Sequence, residues 1–333
     1  MTRCEVPVKL TGGRGERRGG RGRAVLVALV LLAGASACGG GGDGDEGATA
    51  DAPSSEAGTG SGAEPGVASQ ADELGRVVVL GEDFLLADVL ALGVQPVAAT
   101  STLGDTFSGI ERDTSGIEPL DQLQLNAEQL AALRPDTLIV GQYVVDEVGI
   151  ELLESVADTI VVPNDSDWRA AFTTLAEEVG ATEAAEGLLA DYDEAVARAD
   201  EALPDDVSVS MPTVYSGENL AVWTDGPVNI PSTFLDAGVT LDPGAGELDG
   251  EQGGRVYISL ERIGELDGDV IVMLQTEGVE GEDAALDAVQ GNELWQTLPA
   301  VREDRVVVID RLGYAGVEGR IRLAGELPDL LPT

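Results

Sequence analysis

Apolar residues along this chain fall into short unbroken runs, separated by stretches where they recur every three or four positions. "RVVVL" (Arg76 to Leu80) reads as a strand buried on both faces, and "DFLLADVLALG" after it as a helix stopped at Gly93. "VQPVAAT" is a second short strand, and the polar, Gly/Thr-rich region from Ser101 to Gln124 reads as loop. A helix over Ala127 to Leu133, a strand over Thr137 to Val140, a helix near Asp146 to Ser155 and the strand "DTIVVP" complete the first half. Strand and helix alternate without hairpin signals, which predicts a parallel sheet. From Asp167 to Leu203 the chain lacks proline. Trp168, Phe172, Leu175 and Val179, then Leu188, Tyr192 and Val196, recur at helical spacing, predicting one long helical segment that runs through Gly180-Ala181-Thr182.

The second half repeats the plan. "SVSMPTVYSG" and "NLAVWT" read as strands, "STFLDAGV" as a helix, "VIVML" and "RVVVID" as strands, and Val317 to Leu331 as a closing helix. Glu128, Leu133 and Asp136 return as Glu261, Leu266 and Asp269, each displaced by 133 residues. Two matching halves predict a clamp.

The N-terminus changes the picture of the mature protein. Arg17, Arg18, Arg21 and Arg23 precede the apolar run "AVLVALVLLA", which meets "GASAC", the pattern of a secretory signal over residues 1–37. Ala35-Ser36-Ala37 fits an ordinary A-x-A cleavage site. It also fits a lipobox ending at Cys38, although Ala35 stands where that motif usually has Leu. The acidic Gly/Ser-rich stretch over 38–74 reads as a tether, and a tether opening on a cysteine is useful when that cysteine is attached to something. Lipidation of Cys38 and an extracytoplasmic, membrane-anchored location are therefore expected. "GDGDEG" (Gly42 to Gly47) matches a dinucleotide fingerprint in letters only. It follows no strand, opens no helix and carries carboxylates that would repel phosphate.

Composition excludes more than it names. With residues 1–37 removed, seven Lys/Arg and two Asp/Glu go, leaving 12 basic against 59 acidic side chains, a net −47. Such a surface excludes nucleic acid as a partner and keeps the chain soluble. Histidine is absent, which rules out Ser-His-Asp and Cys-His catalysis and His-ligated zinc. Carboxylate-pair hydrolysis stays open, but Glu82 and Asp83, the one obvious pair near a strand end, are adjacent and would diverge.

The phrases "RVVVLGEDFLLADVLALGVQPVAAT", "NAEQLAALRPDTLIV", "ISLERIGELDGDVIVM" and "ELWQTLPAVREDRVVVID", with the long central segment, resemble the solute-binding lipoproteins of ABC importers for ferric siderophores, cobalamin and haem. The resemblance spans Arg76 to Leu331 and implies an α/β fold of two Rossmann-like lobes with mostly parallel sheets. One long rigid helix (167–203) would join an N-terminal lobe (75–166) to a C-terminal lobe (204–333), with the ligand cleft between them. It implies a monomer, not an enzyme, whose partners are a ferric siderophore or similar bulky chelate and the importer's transmembrane subunits. Cobalamin and haem remain alternatives, as do a secreted hydrolase and a surface interaction protein. The resemblance also assigns Glu128 and Glu261 to docking on permease arginines, although a carboxylate in a first helical turn also simply complements the helix dipole.

Ligands of parallel sheets sit beyond the carboxyl ends of the strands. The candidates there are Phe84, Phe107 and Arg112, Tyr143, Trp223, Arg311 and Tyr314, aromatics to stack on a bulky ligand and arginines to bond an iron-bound oxygen. Each has a plainer role available: Phe84 stapling a helix, Arg112 pairing Glu111 or Asp113, Arg311 pairing Asp310. Trp168, Phe172, Tyr192 and Trp295 read as core. Without histidine or a free cysteine the cleft is poorly equipped for a bare transition metal, so no metal site and no cofactor is expected, and iron would arrive already chelated.

Overall fold

The computed structural model describes residues 73–122, 125–163, 167–215, 219–226, 228–276 and 279–331. The expected signal, Cys38 and nearly all of the expected tether lie outside the described residues.

The first sheet is built from β1 (Val77–Leu80), α1 (Asp83–Ala91), β2 (Ala98–Ser101), β3 (Glu118–Asp121), α2 (Ala127–Leu133), β4 (Thr137–Gly141), α3 (Gln142–Val148), α4 (Ile150–Glu154) and β5 (Asp158–Val162). Its five strands are all parallel in the order β3-β2-β1-β4-β5. The central strands β1 and β4 are buried throughout, as continuous Val/Ile/Leu runs between two helical layers should be. β3, "EPLD", was not legible in a region that reads as loop. Its Pro119 lacks a ladder donor, and the strand sits at the sheet's edge, where that is tolerated.

Two helices follow, α5 (Trp168–Glu178) and α6 (Thr182–Ala202), where one continuous segment was expected. Gly180 takes φ 70°, the Gly180 amide donates to Glu177 O (3.2 Å) and the Ala181 amide to Ala176 O (2.7 Å). That pair of reversed bonds is a Schellman stop, which glycine adopts without steric cost. The 21-residue α6, about 30 Å long, is nonetheless one strut. Its Ala185 belongs to the core of the first lobe and its Ala199 to that of the second.

The second sheet comprises β6 (Ser208–Val214), β7 (Asn219–Trp223), α7 (Asn229–Asp236), β8 (Thr240–Leu241), β9 (Arg255–Ser259), a 3-10 helix (Leu260–Glu265), β10 (Val270–Gln275), α8 (Glu282–Gln290), a 3-10 turn (Trp295–Thr297), α9 (Pro299–Arg302), β11 (Val306–Asp310) and α10 (Gly316–Leu330). Its order is β11-β10-β6-β7-β9, with β8 also paired to β6. β6, β10 and β11 are parallel, whereas β7 runs antiparallel to both β6 and β9. The fold is therefore α/β, with a parallel sheet in one lobe and a mixed sheet in the other. The neighbouring β6 and β7 carry the departure from the first lobe's pattern.

The repeated Asp has a structural reason. Asp136 Oδ2 accepts from the Arg76 amide (2.8 Å) just ahead of β1, and Asp269 Oδ2 accepts from the Ser208 amide (3.1 Å) and hydroxyl (2.8 Å) at the head of β6. In each lobe the acid at the foot of one central strand ties down the neighbouring central strand, satisfying an amide the ladder leaves free.

α10 closes the molecule from the second lobe but also packs on the first, touching α1, α6 and α7. Asp88 of α1 accepts from the Val317 amide (2.7 Å), supplying a first-turn acceptor for α10 across the chain. Beside this joint the Gly109 carbonyl accepts from the Ala315 amide (2.9 Å). Gly109 has φ 68°, and a Cβ there would overlap Leu312 O, so only glycine suits this approach.

Candidate functional site

Between the two sheets lies a cleft of about 600 Å³. Its first-lobe wall comes from the β1–α1 turn (Glu82 to Leu85), Thr102 after β2 and Tyr143 after β4, each at a strand's carboxyl end. Its opposite wall comes from Thr213 and Tyr215 at the end of β6, Trp223 and Arg255 where β7 meets β9, and Arg311 to Ala315 after β11. The floor is α5 with Arg320 of α10.

Five of the seven residues expected at a ligand site line this space: Phe84, Tyr143, Trp223, Arg311 and Tyr314. The other two are not brought to it. Phe107 packs against the first lobe's core. Arg112 forks onto Glu318 of α10 at 2.6–2.9 Å, a pairing across 206 residues that local sequence does not show. Three of the five have fixed neighbours. Trp223 Nε1 donates to Thr213 Oγ1 (2.8 Å), and the Tyr314 hydroxyl donates to Glu326 Oε2 (2.7 Å). Arg311 pairs with the buried Glu282 at 2.5 Å, rather than with its neighbour Asp310, and lies 5.4 Å from the Tyr215 ring. Phe84 is 39% exposed, a large ring turned to open space. The Tyr143 hydroxyl is buried and, although the Gln122 side chain lies near, makes no hydrogen bond of ordinary geometry among the described residues.

Trp168 and Phe172, expected in the core, lie at the cleft floor as well. Both also serve the first lobe's core, Phe172 fully buried within it and Trp168 packed against it. The Trp168 ring meets Tyr192 edge-on at 5.1 Å and 87° and carries the Arg320 guanidinium 4.1 Å above it. Arg320 is 3% exposed. It donates to Asn229 O (3.3 Å), Asn229 Oδ1 (2.9 Å) and Ser232 Oγ. Burial pushes its pKa down to about 10, so it stays charged at neutral pH. Tyr215, Arg255 and Arg320 had no sequence signal as site residues. Arg320 sits in a helix far down the chain, and Arg255 stands at the start of a strand whose partner order is not local.

Burial also shapes the acids. It raises the Asp88 carboxyl to about 7, against the opposing pull of the Val317 amide and Arg320. It raises Asp83 to about 6, although the Thr102 and Ser108 amides point at it (3.4 and 3.3 Å). Glu82 moves the same way through burial, with Arg311 pulling it back. Among the described residues no group of three or more His, Cys, Asp or Glu side chains comes together in a way that would hold a metal ion.

Glu128 and Glu261 stand apart from this cleft. Both are exposed, Glu128 in the first turn of α2 behind the Asn126 cap and Glu261 in the first turn of the 3-10 helix before β10.

The chain matches the periplasmic binding protein family over residues 78–311. A probable siderophore-binding lipoprotein of Bacillus subtilis (strain 168), YfiY, is 28% identical over 270 residues, covering 78% of this chain and 81% of the relative. The triscatecholate siderophore binding protein FeuA from Bacillus subtilis, complexed with ferri-bacillibactin, has a similar structure. Its TM-score is 0.63 at 23% identity, over 76% of this chain and 92% of FeuA. FhuD2 from Staphylococcus aureus with bound ferrioxamine B gives 0.61 at 19% identity, over 76% and 97%. At such identities the structural likeness speaks for the fold, and the family match for kinship. This chain belongs to the periplasmic binding protein family, whose members are non-enzymatic transport components.

Proposed function

We propose that this protein is a lipid-anchored extracytoplasmic receptor that captures an iron(III)–siderophore complex and delivers it to an ABC importer. The observation that carries the reading is the cleft itself. Its roughly 600 Å³ suit a bulky chelate, and aromatic rings converge there from both lobes while three arginines reach it from the second. Rings offer faces to an apolar ligand skeleton, while guanidinium groups donate to metal-bound oxygens. The siderophore-binding relative and the two siderophore complexes of like fold support the same reading. Delivery falls to Glu128 and Glu261, exposed acids at corresponding places in the two lobes, which suit a partner with two symmetric basic sockets. Anchoring falls to Cys38.

Trp168 and Trp223 at the cleft make intrinsic fluorescence the direct test, because ferric chelates quench nearby indoles. Saturable quenching by a ferric siderophore is expected, with none by free ferric or zinc ions at the same concentration. Tight binding of a bare ion would overturn the reading, as would saturation by haem or cobalamin and by no siderophore.

A further inference from the structure

The cleft is balanced in formal charge: Glu82, Asp83 and Asp88 face Arg255, Arg311 and Arg320. Most of these groups are already committed. Arg311 is neutralised by Glu282, and Arg320 is held by Asn229 and Ser232 above the Trp168 ring with Asp88 near. Asp83 is 4% exposed and turned to the Thr102 and Ser108 amides. Two charges remain for a ligand. Glu82 lies on the first-lobe wall, open at the cleft surface although surrounding protein partly desolvates its carboxyl. Arg255 lies on the opposite wall with its guanidinium 5.1 Å from the Trp223 ring and 5.6 Å from Tyr257. Neither forms an ion pair among the described residues. Around them the lining is aromatic and apolar, and the whole chain carries a net charge of −42.

We infer that the cargo is a ferric chelate of low net charge, of the hydroxamate class, rather than a polyanionic triscatecholate; this rests on the siderophore reading above. Each hydroxamate contributes one negative charge, so three of them leave ferric iron neutral, whereas three catecholates leave a trianion. A neutral chelate loses little solvation on entering an aromatic cleft. Its iron-bound oxygens accept from Arg255, its skeleton packs on the rings, and Glu82 faces any pendant cationic arm. A trianion meets one uncommitted arginine, an opposed carboxylate and the negative field of the entire surface, which also slows its approach.

The test is a fluorescence titration of the intact protein with two probes, a ferric trishydroxamate (ferrioxamine B) and a ferric triscatecholate (ferri-bacillibactin), at low and at physiological salt. The trishydroxamate should bind at least ~100-fold more tightly, and the gap should narrow as salt screens the repulsion. Glu82→Gln should tighten the triscatecholate about tenfold, and Arg255→Gln should weaken the trishydroxamate by about 10- to 100-fold. Equal or tighter binding of the triscatecholate overturns the class while leaving siderophore capture standing. Saturation by neither probe nor by any other ferric siderophore overturns the capture reading itself.

Discussion

Replacing Arg320 by Met should destabilise the protein, and more so at high pH than at low. The side chain is 3% exposed, and its three hydrogen bonds tie α10 to Asn229 and Ser232 of α7 while its plane covers Trp168 of α5. Methionine fills much of the volume but leaves Asn229 Oδ1 without its donor and removes a desolvated cation–π contact. Net of the arginine's own desolvation, which Met escapes, the loss is about 3 kcal/mol. Asp88 adds the pH dependence. Its carboxyl is held up at about 7 in the folded protein, against an ordinary value of 3.8, so the native state keeps a proton that the unfolded chain releases. The stability linked to that proton is fully present below the unfolded value and fades as pH rises through the folded one. Removing Arg320 takes away the cation that opposes burial, so Asp88 in the variant holds its proton to still higher pH. At pH 8, about one unit above the wild-type value, the penalty should exceed that at pH 5 by roughly 1–1.5 kcal/mol. Urea denaturation of wild type and variant at both pH values measures the difference, and comparing the two proteins cancels the other titrating groups. Adding Asp88→Asn, which keeps an acceptor for the Val317 amide, should make the penalty independent of pH. A penalty equal at pH 5 and pH 8, or one whose pH slope survives Asp88→Asn, would refute the reasoning.

Gly109→Ala combines a positive φ with an overlap on Leu312 O, and should cost about 2–3 kcal/mol while displacing the segment that carries Arg311 and Tyr314; calorimetry and a siderophore titration should move together, and a change in neither would sink the close-approach argument. Asp269→Ala should cost about 1–3 kcal/mol through the lost Ser208 bonds, with the matching Asp136→Ala costing a similar amount at Arg76; urea midpoints of the two variants check it. Glu128→Ala with Glu261→Ala should sharply lower cellular uptake while ligand affinity stays put and stability shifts by no more than about 1 kcal/mol; normal transport by the double variant would remove the docking role. Cys38→Ser should release the protein from membranes into the medium, which fractionation and immunoblotting would show; a wild-type chain never found on membranes would favour ordinary cleavage after Ala37.

Much of the architecture was legible because its signals are local. Continuous Val/Ile runs at β1, β4 and β10 mark strands buried on both faces, and the Glu-Leu-Asp repeat marks the two lobes. What escaped depends on distance or on a single residue. β3 lies at an edge and carries a proline, so its apolar content is too thin to stand out. The stop at Gly180 is one glycine inside a pattern that otherwise stays in helical phase. Within the site, Tyr143, Trp223, Arg311 and Tyr314 were readable from their places after strand ends. Arg112 and Phe107 occupy equally plausible positions, and only the fold shows that one is claimed by Glu318 and the other by the first lobe's core. Trp168 was half legible. It packs on the first lobe's core, as its helical spacing implies, and it also lines the cleft floor, which the spacing does not show.

The helix α10 has a consequence for the order in which the molecule assembles. Its contact with Asp88 joins positions 229 residues apart, so the chain must close a very long loop before the joint rewards it. The first sheet has all its strands by Val162, but its core also takes Phe172 to Ala185 and, last of all, Val317. The cleft is completed later still, because Arg320 and the turn before it arrive with the last helix. The chain would thus gather most of its first lobe early and complete its cleft late. Ligand competence becomes a report that the final helix has docked, and shortening the chain ahead of Gly316 should abolish binding and also loosen the first lobe, which loses Val317 from its core.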